Sequence, residues 1–204
     1  MTAARIPIVG VMGSGTRGFP ELAGPVGKLV ARLGCHLLTG GGGGVMAEAG
    51  RAFTETVPRR GLSIGILKGE REVRLEGKRE RLIHTPAPPN PWVEIPIRTH
   101  LPLSGAQGRD VRSRNHINVL SADALVLLPG EAGTYSEAML RIDYGRSLLL
   151  FLGGHKVDTF SANHFLAKAW DASQVKTAGS ITELEELLRR ELSAADLFPL
   201  EAHS

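Results

Sequence analysis

The chain of 204 residues has the length of one globular domain, with 42% hydrophobic and 22% charged residues. Its net charge of +3 favours anionic ligands, but without a clustered basic face it does not indicate a nucleic-acid partner. Cys35 is the only cysteine, which excludes an intrachain disulfide and a cysteine-based zinc site; we predict no metal site and a core position for Cys35. No apolar run approaches the ~20 residues of a membrane span and no signal peptide is evident, so we expect a cytoplasmic protein without a membrane partner.

Apolar runs of strand length alternate with amphipathic stretches along the chain. In chain order they predict a strand at residues 6–12, a helix at 20–33, a strand at 35–39, a helix from 45, strands at 62–67 and 92–97, a helix at 111–120, a strand at 124–128, a helix at 134–144, a strand at 147–152, and helices at 162–170 and 182–194. Pro96 in the fourth strand is typical of a sheet edge, and the charged run at 68–81 indicates a solvated hairpin or loop.

Strands that are apolar throughout and alternate with helices are typical of a parallel sheet covered on both faces. We therefore predict an α/β protein with a three-layer α-β-α Rossmann-like fold and a mainly parallel central sheet. No linker, internal repeat or low-complexity segment interrupts the sequence. Residues 1–204 are thus expected to form a single Rossmann-like domain that binds a nucleotide or a phosphate.

Glycine is abundant, with 25 residues, and it clusters in three loops that each follow a predicted strand and lead into a helix. The carboxyl ends of parallel strands meet at one edge of the sheet, where ligands bind. Backbone N–H groups and the helix dipole favour anions there, and glycine lets a ligand approach the backbone closely. The residues predicted to contact a phosphorylated ligand are Gly13, Ser14, Gly15, Gly41, Gly42, Gly43, Gly130, Glu131, Ala132, Gly133 and Thr134.

The first two loops differ in what they indicate. The first, at residues 13–18, matches the dinucleotide pattern G-x-G-x-x-G, which alone is a weak signal. A nicotinamide site also needs an acidic residue near the end of the second strand, and Thr39 followed by glycine stands there, so an NAD or FAD site is disfavoured. The second loop has five consecutive glycines at residues 40–44; ligand contact is the preferred interpretation and a tight turn with positive φ is the alternative.

The third loop, at residues 129–134, has two interpretations. Thr134 can cap the helix that follows, and Glu137 stands three residues later in the capping-box spacing. Alternatively, Glu137 is a carboxylate held at the rim of an anion site, an arrangement that is costly unless a cation offsets it or the chemistry requires it.

The order and spacing of several motifs resemble one known family. The motifs are Thr39 with the glycines and Val45-Met46 that follow it, Arg114-Asn115, the Ser-Ala-Asp-Ala of residues 121–124, and Pro129-Gly130 with Gly133-Thr134 and Glu137. From about residue 8 to residue 152 the chain resembles the Lonely Guy or "lysine decarboxylase-like" superfamily. One branch consists of phosphoribohydrolases, which cleave a nucleoside 5′-monophosphate to free base and ribose 5-phosphate. That resemblance implies Arg114 and Glu137 as the catalytic pair, with Glu137 stabilising an oxocarbenium-like transition state.

A second branch, the molybdenum cofactor carrier proteins, is similar in having Arg-Asn, as at Arg114-Asn115, where the enzymes have Arg-Lys. The opening at residues 9–15 also resembles this branch. It implies a binding protein with Asn115 among its ligand contacts, no required cofactor, and the molybdenum cofactor, an anionic pterin phosphate, as cargo. A sensor of a nucleotide-derived ligand is a further alternative. The family implies a homodimer or a larger homo-oligomer.

One position departs from the family pattern. Glu131 occupies the second glycine of the Pro-Gly-Gly motif, where a carboxylate pointing inward would crowd or repel a phosphate. A side chain pointing to solvent, or paired with an arginine, would not. Lysine decarboxylase activity is not predicted, because Lys156 after Gly154-His155 has no pyridoxal-binding scaffold around it, and whether the chain is an enzyme stays open.

Overall fold

The computed structural model describes residues 5–76, 79–86 and 88–194. The strands are β1 (Ile8–Met12), β2 (His36–Thr39), β3 (Ser63–Leu67), β4 (Gly69–Glu76), β5 (Arg79–Pro86), β6 (Ile95–Arg98), β7 (Ala124–Leu127), β8 (Leu148–Leu150) and β9 (Val175–Thr177). The helices are α1 (Pro20–Arg32), α2 (Val45–Thr54), α3 (Asn115–Ser121), α4 (Ala132–Asp143), α5 (Ala162–Leu166) and α6 (Ile181–Ala194), and a 3-10 turn spans Gly105–Gln107.

In the described part of the chain, seven strands form one parallel sheet in the order β6-β3-β2-β1-β7-β8-β9. Successive side chains of a strand point to opposite faces, so Leu37 packs into one core and Leu38 into the other. The first core includes residues of α1, α2 and α6, and the second includes residues of α3, α4 and α5. The predicted three-layer α/β fold is confirmed, and it places the carboxyl ends of β1, β2 and β7 at one edge of the sheet.

The two edges of the sheet differ in how well the sequence predicts them. β6, with Pro96, lies at one edge as predicted. β9 forms the other edge and was not predicted, because its three residues include Lys176 and Thr177 and show no apolar run. Separately, β4 and β5 pair in antiparallel fashion, which confirms the hairpin expected in the charged run; residues 77 and 78 of that run lie outside the described residues.

Two helices are shorter than predicted. α3 begins at Asn115 and not at residue 111, because Arg114 donates its backbone N–H to the Leu103 carbonyl at 3.2 Å. α5 ends before residue 170, where Trp170 donates its indole N–H to the Ile142 carbonyl at 3.0 Å. At Arg114 the bond to the distant Leu103 takes the place of a helical one, and at Trp170 the backbone N–H donates to Gln174 Oε1 at 2.7 Å and not to a helical carbonyl.

Cys35 lies fully buried in the first core, as its apolar neighbours predict. Burial raises the pKa of its thiol to about 12, so the thiol stays protonated and unreactive at neutral pH. Among the helices that the structure describes, none combines the length and the hydropathy needed to cross a membrane.

Candidate functional site

A cavity of about 310 Å³ opens at the carboxyl edge of the sheet, between the loop after β1 and the loop after β7. This volume is at the lower end of the range for small-molecule sites. The predicted residues that line it are Gly13, Gly15, Arg114, Asn115, Glu131, Ala132, Gly133, Thr134 and Glu137. Residues that were not predicted also line it: Met46, Ser104, Gly105 and Ala106. The fold therefore brings the first loop, the third loop and the predicted catalytic pair into one site.

The first and third glycine loops are joined by direct backbone contact. Ser14 donates its backbone N–H to the Pro129 carbonyl at 2.9 Å. A Cβ atom at Gly130 would lie 2.7 Å from the Ser14 nitrogen and 2.1 Å from Thr134 Oγ1, so this approach requires glycine. Ser14 and Gly130 are not among the lining residues and instead hold the two walls of the cavity together.

The second glycine loop contributes none of its three predicted ligand residues, Gly41, Gly42 and Gly43, to the lining of the cavity. Asn90 holds this loop: its backbone N–H donates to the Gly41 carbonyl and its side-chain amide to the Gly42 carbonyl, both at 2.8 Å. Gly41 and Gly44 have φ angles of 70° and 58°, so the tight-turn alternative accounts for these two positions. Ligand contact at residues 41–43 stays a prediction.

Arg114 immediately precedes α3 and extends beneath the second loop. A Cβ atom at Gly40 would lie 2.3 Å from Arg114 Nη1 and 2.6 Å from Nη2, so Gly40, which the sequence reasoning left out, makes room for the guanidinium. Nη1 donates to the Ile66 carbonyl at 2.5 Å. Within the described part of the chain, Nη2 has no hydrogen-bond partner and Nε is buried without one. Arg114 therefore lines the cavity with Nη2 still available as a donor.

Glu137 and Arg114 set the electrostatics of the cavity. Burial raises the pKa of Glu137, while the Arg114 cation and a hydrogen bond from Asn118 act against that rise. Burial lowers the pKa of Arg114, and the Glu137 carboxylate opposes that change. Because arginine keeps its charge at ordinary pH, the site combines a fixed cation with a carboxyl group that is protonated more readily than usual.

Asn118 is a site residue that the sequence reasoning missed. It is fully buried on α3 and donates its side-chain amide to Glu137 Oε1 at 2.8 Å. A signal was present, since Asn118 follows Arg114 by one helical turn within the predicted helix at 111–120. The hydrogen bond fixes one oxygen of the Glu137 carboxylate and leaves the other for a ligand.

The helix after the third loop begins two residues earlier than predicted. α4 starts at Ala132, with Glu131 as its N-cap residue, and no side chain of the described residues caps it. The prediction that Thr134 caps this helix is therefore wrong, and so is the capping-box interpretation of Glu137, which binds Asn118 instead. Since Thr134 lies in the first turn, residues 132–134 present N–H groups without helical partners along the cavity.

The 3-10 turn at Gly105–Gln107 covers the start of α4. The Ser136 hydroxyl lies within hydrogen-bond distance of the Ala132 carbonyl at 2.9 Å and of the Gly105 carbonyl at 3.2 Å, and a Cβ atom at Gly133 would lie 3.1 Å from Gly105 Cα. Gly133 therefore serves this packing as well as the cavity surface. The sequence of the turn carries no motif, which is why its contribution to the site was not predicted.

The motifs and the cavity agree with a known family over most of the chain. Residues 6–184 match the SLOG cluster4 family (LDcluster4). The chain belongs to the SLOG cluster4 family. The Lonely Guy-type resemblance drawn from the glycine loops and Arg114-Asn115 is thereby confirmed.

Solved structures of similar proteins share the fold of this SLOG cluster4 chain along nearly its whole length. The molybdenum cofactor carrier protein of Chlamydomonas reinhardtii is 27% identical, with a TM-score of 0.68 over 93% of this chain and 99% of that one. The molybdenum cofactor binding protein of the phototrophic bacterium Rippkaea orientalis is 28% identical, with a TM-score of 0.65 over 92% of this chain and 98% of that one. No curated protein matches the chain.

Glu131, where this SLOG cluster4 chain departs from the expected glycine, points to the first loop. Its Oε1 accepts hydrogen bonds from Ser14 Oγ at 2.5 Å and Thr16 Oγ1 at 3.0 Å, and its Oε2 accepts one from the backbone N–H of Gly15 at 3.2 Å. Burial alone would raise the pKa of Glu131, but these hydrogen bonds together lower it. The carboxylate is therefore ionised at neutral pH, and it pairs with hydroxyl and backbone donors, not with an arginine.

Proposed function

We propose that this chain binds a phosphorylated pterin of the molybdenum-cofactor type in the cavity and carries it unchanged. The similarity to proteins that bind the molybdenum cofactor, over more than nine-tenths of both chains, supports the ligand class. The observation that carries the proposal is that two anion-binding features line one cavity. One is the Arg114 guanidinium, whose Nη2 has no partner among the described residues, and the other is the first turn of α4, whose N–H groups have no helical partners. A cation and a helix N-terminus together favour a phosphate.

Different parts of the cavity take different parts of such a ligand. Arg114 and the N–H groups of residues 132–134 hold the phosphate. Met46 offers a polarizable apolar contact for the ring system. Glu137 Oε2, which has no hydrogen-bond partner in the described structure, accepts a ring N–H or an amino group. No three His, Cys, Asp or Glu side chains are grouped for a metal within the described residues, so the proposal assigns affinity to the phosphate and the ring.

We also propose, from the family resemblance, that the chain acts as one domain within a cytoplasmic homo-oligomer. Light scattering after size-exclusion chromatography measures the assembly directly. A mass equal to one chain at all concentrations would contradict this part of the proposal.

Fluorescence titration with a phosphorylated pterin and with its dephosphorylated counterpart tests the proposed ligand class. We expect the phosphorylated form to bind about tenfold more tightly or better, since hydrogen bonds to a charged group each contribute about 1.5–3 kcal/mol. Inorganic phosphate should compete with it. Equal affinity for the two pterins, or binding of neither, would contradict the proposal.

A second function is supported by one observation: Arg114 and Glu137, the pair implied to be catalytic in the phosphoribohydrolase branch, line the same cavity.

Hydrolysis requires an ionised Glu137 to stabilise an oxocarbenium-like state. Because the pKa of Glu137 is raised, the rate of hydrolysis should increase as the pH rises through that pKa. A hydrolase would release free base from AMP or another nucleoside 5′-monophosphate, and Glu137→Gln would slow it by about 100-fold or more. Equal release by wild type and Glu137→Gln, measured by chromatography, would dismiss this function.

A further inference from the structure

Glu131 separates the ligand cavity from a second cavity of about 310 Å³ on its other side. Arg17, His155 and Lys156 line the second cavity, with Asp158 as a further acid. Two cations, Arg17 and Lys156, therefore lie on the side of Glu131 away from the ligand cavity. Among the described contacts, the Glu131 carboxylate is the only group of the third loop that accepts hydrogen bonds from side chains of the first loop.

The Glu131 carboxylate accepts its hydrogen bonds from residues of the first loop. Ser14 has one hydroxyl proton, which it donates to Glu131, while its oxygen accepts the backbone N–H groups of Thr16 at 3.1 Å and Arg17 at 2.8 Å. The Thr16 hydroxyl and the Gly15 N–H also donate to Glu131. Backbone N–H groups and hydroxyls of a glycine-rich loop are the donors that bind phosphate in nucleotide-binding loops. In this chain the Glu131 carboxylate already accepts hydrogen bonds from these donors.

A second negative group cannot share this position. The first-loop donors nearest to Glu131, the hydroxyls of Ser14 and Thr16 and the Gly15 N–H, are occupied, and two like charges a few ångströms apart repel each other. The anion-binding features that remain in the ligand cavity are Arg114 and the first turn of α4. Within the ligand cavity, a phosphate is therefore expected at Arg114 and the first turn of α4, on the side of Glu131 away from the first-loop donors that it occupies.

We propose that Glu131 is a specificity-determining residue that fills the anion position of the first loop. The cavity thereby selects ligands with a single phosphate, such as a pterin monophosphate, over ligands whose second phosphate would reach the first loop, such as pyrophosphate-linked dinucleotides. The position assigned to the single phosphate depends on the proposed function. The conclusion that Glu131 occupies the first loop does not, because it follows from the hydrogen bonds of Glu131.

Calorimetric titration with inorganic phosphate and with pyrophosphate at constant ionic strength tests the proposal. Wild type is expected to bind pyrophosphate no more tightly than phosphate. Glu131→Gln removes the charge with little change in shape, and Glu131→Gly also frees the donors of the first loop. We expect the affinity for pyrophosphate, relative to phosphate, to rise about tenfold or more in Glu131→Gly and less in Glu131→Gln.

Asp158→Asn is the matched control, because it removes one negative charge from the second cavity and leaves the first loop filled. The ratio of its affinity for pyrophosphate to its affinity for phosphate should equal the wild-type ratio. An unchanged ratio in both Glu131 variants would overturn the proposal, and so would an equal gain in Asp158→Asn, which would show that net charge alone selects the ligand. If Glu131→Gly does not fold, as judged by circular dichroism, Glu131→Gln decides. Failure of the proposed function is seen separately, as wild-type protein that binds no phosphorylated pterin.

Discussion

Arg141→Met is expected to lower the free energy of unfolding by about 3–5 kcal/mol, because it leaves several buried carbonyl groups without a partner. Arg141 is 1% exposed. Its Nη1 donates to the carbonyls of Val119 at 2.8 Å and Ala122 at 3.0 Å, its Nη2 to Asp123 at 2.9 Å, and its Nε to Ser147 at 2.8 Å. This one side chain ties α4 to the end of α3 and to the starts of β7 and β8. Methionine fills similar space but donates no hydrogen bond.

Urea unfolding followed by circular dichroism measures this loss, and Arg189→Met is the matched control. Arg189 lies on α6 and is exposed, and its hydrogen bonds go to Glu185 one turn away. Its replacement should change the free energy of unfolding by less than about 0.5 kcal/mol. A loss below about 1 kcal/mol in Arg141→Met would contradict the structural role assigned to this arginine.

Arg114→Met is expected to weaken the binding of a phosphorylated pterin by about 10- to 100-fold while leaving the fold intact. The guanidinium lines the cavity, and its Nη2, which has no partner among the described residues, is the donor assigned to the phosphate. Gly40→Ala should have a similar effect without removing the charge, since the added Cβ atom would lie 2.3 Å from Arg114 Nη1 and displace it.

Arg109→Met controls for the loss of a positive charge near the site. Arg109 is exposed and pairs with Asp143 at 2.8 Å, outside the cavity lining. Its affinity for the phosphorylated pterin should match that of wild type. Unchanged affinity in Arg114→Met, or an equal loss in Arg109→Met, would show that the Arg114 guanidinium does not hold the phosphate.

The fold could be predicted because the buried strands are short apolar runs, as at β7, and because glycine marks where strands pass into helices. β9 could not be predicted in this way, since a three-residue edge strand with Lys176 buries too little to leave a pattern. Helix starts were also missed where the chain is held by distant contacts, as at Arg114 before α3.

The site was predicted in outline, because motif spacing identifies which loops carry glycine but not which loop a ligand can reach. Residues 129–134 mostly line the cavity, whereas Gly41–Gly43 are not among its lining residues and are held by Asn90, from a segment without a recognisable motif. The direction of Glu131 depends on Ser14 and Thr16, which are more than 100 residues away in the chain. Contacts of that kind arise only when the sheet has assembled.

The central claim is tested most directly by identifying the ligand that the protein retains when it is purified from a host that makes the molybdenum cofactor. Mass spectrometry of wild-type protein and of Arg114→Met, purified side by side, makes the comparison. We predict a phosphorylated pterin on the wild type and little or none on Arg114→Met. A nucleotide in its place, no pterin at all, or equal amounts of pterin on the two proteins would contradict the account.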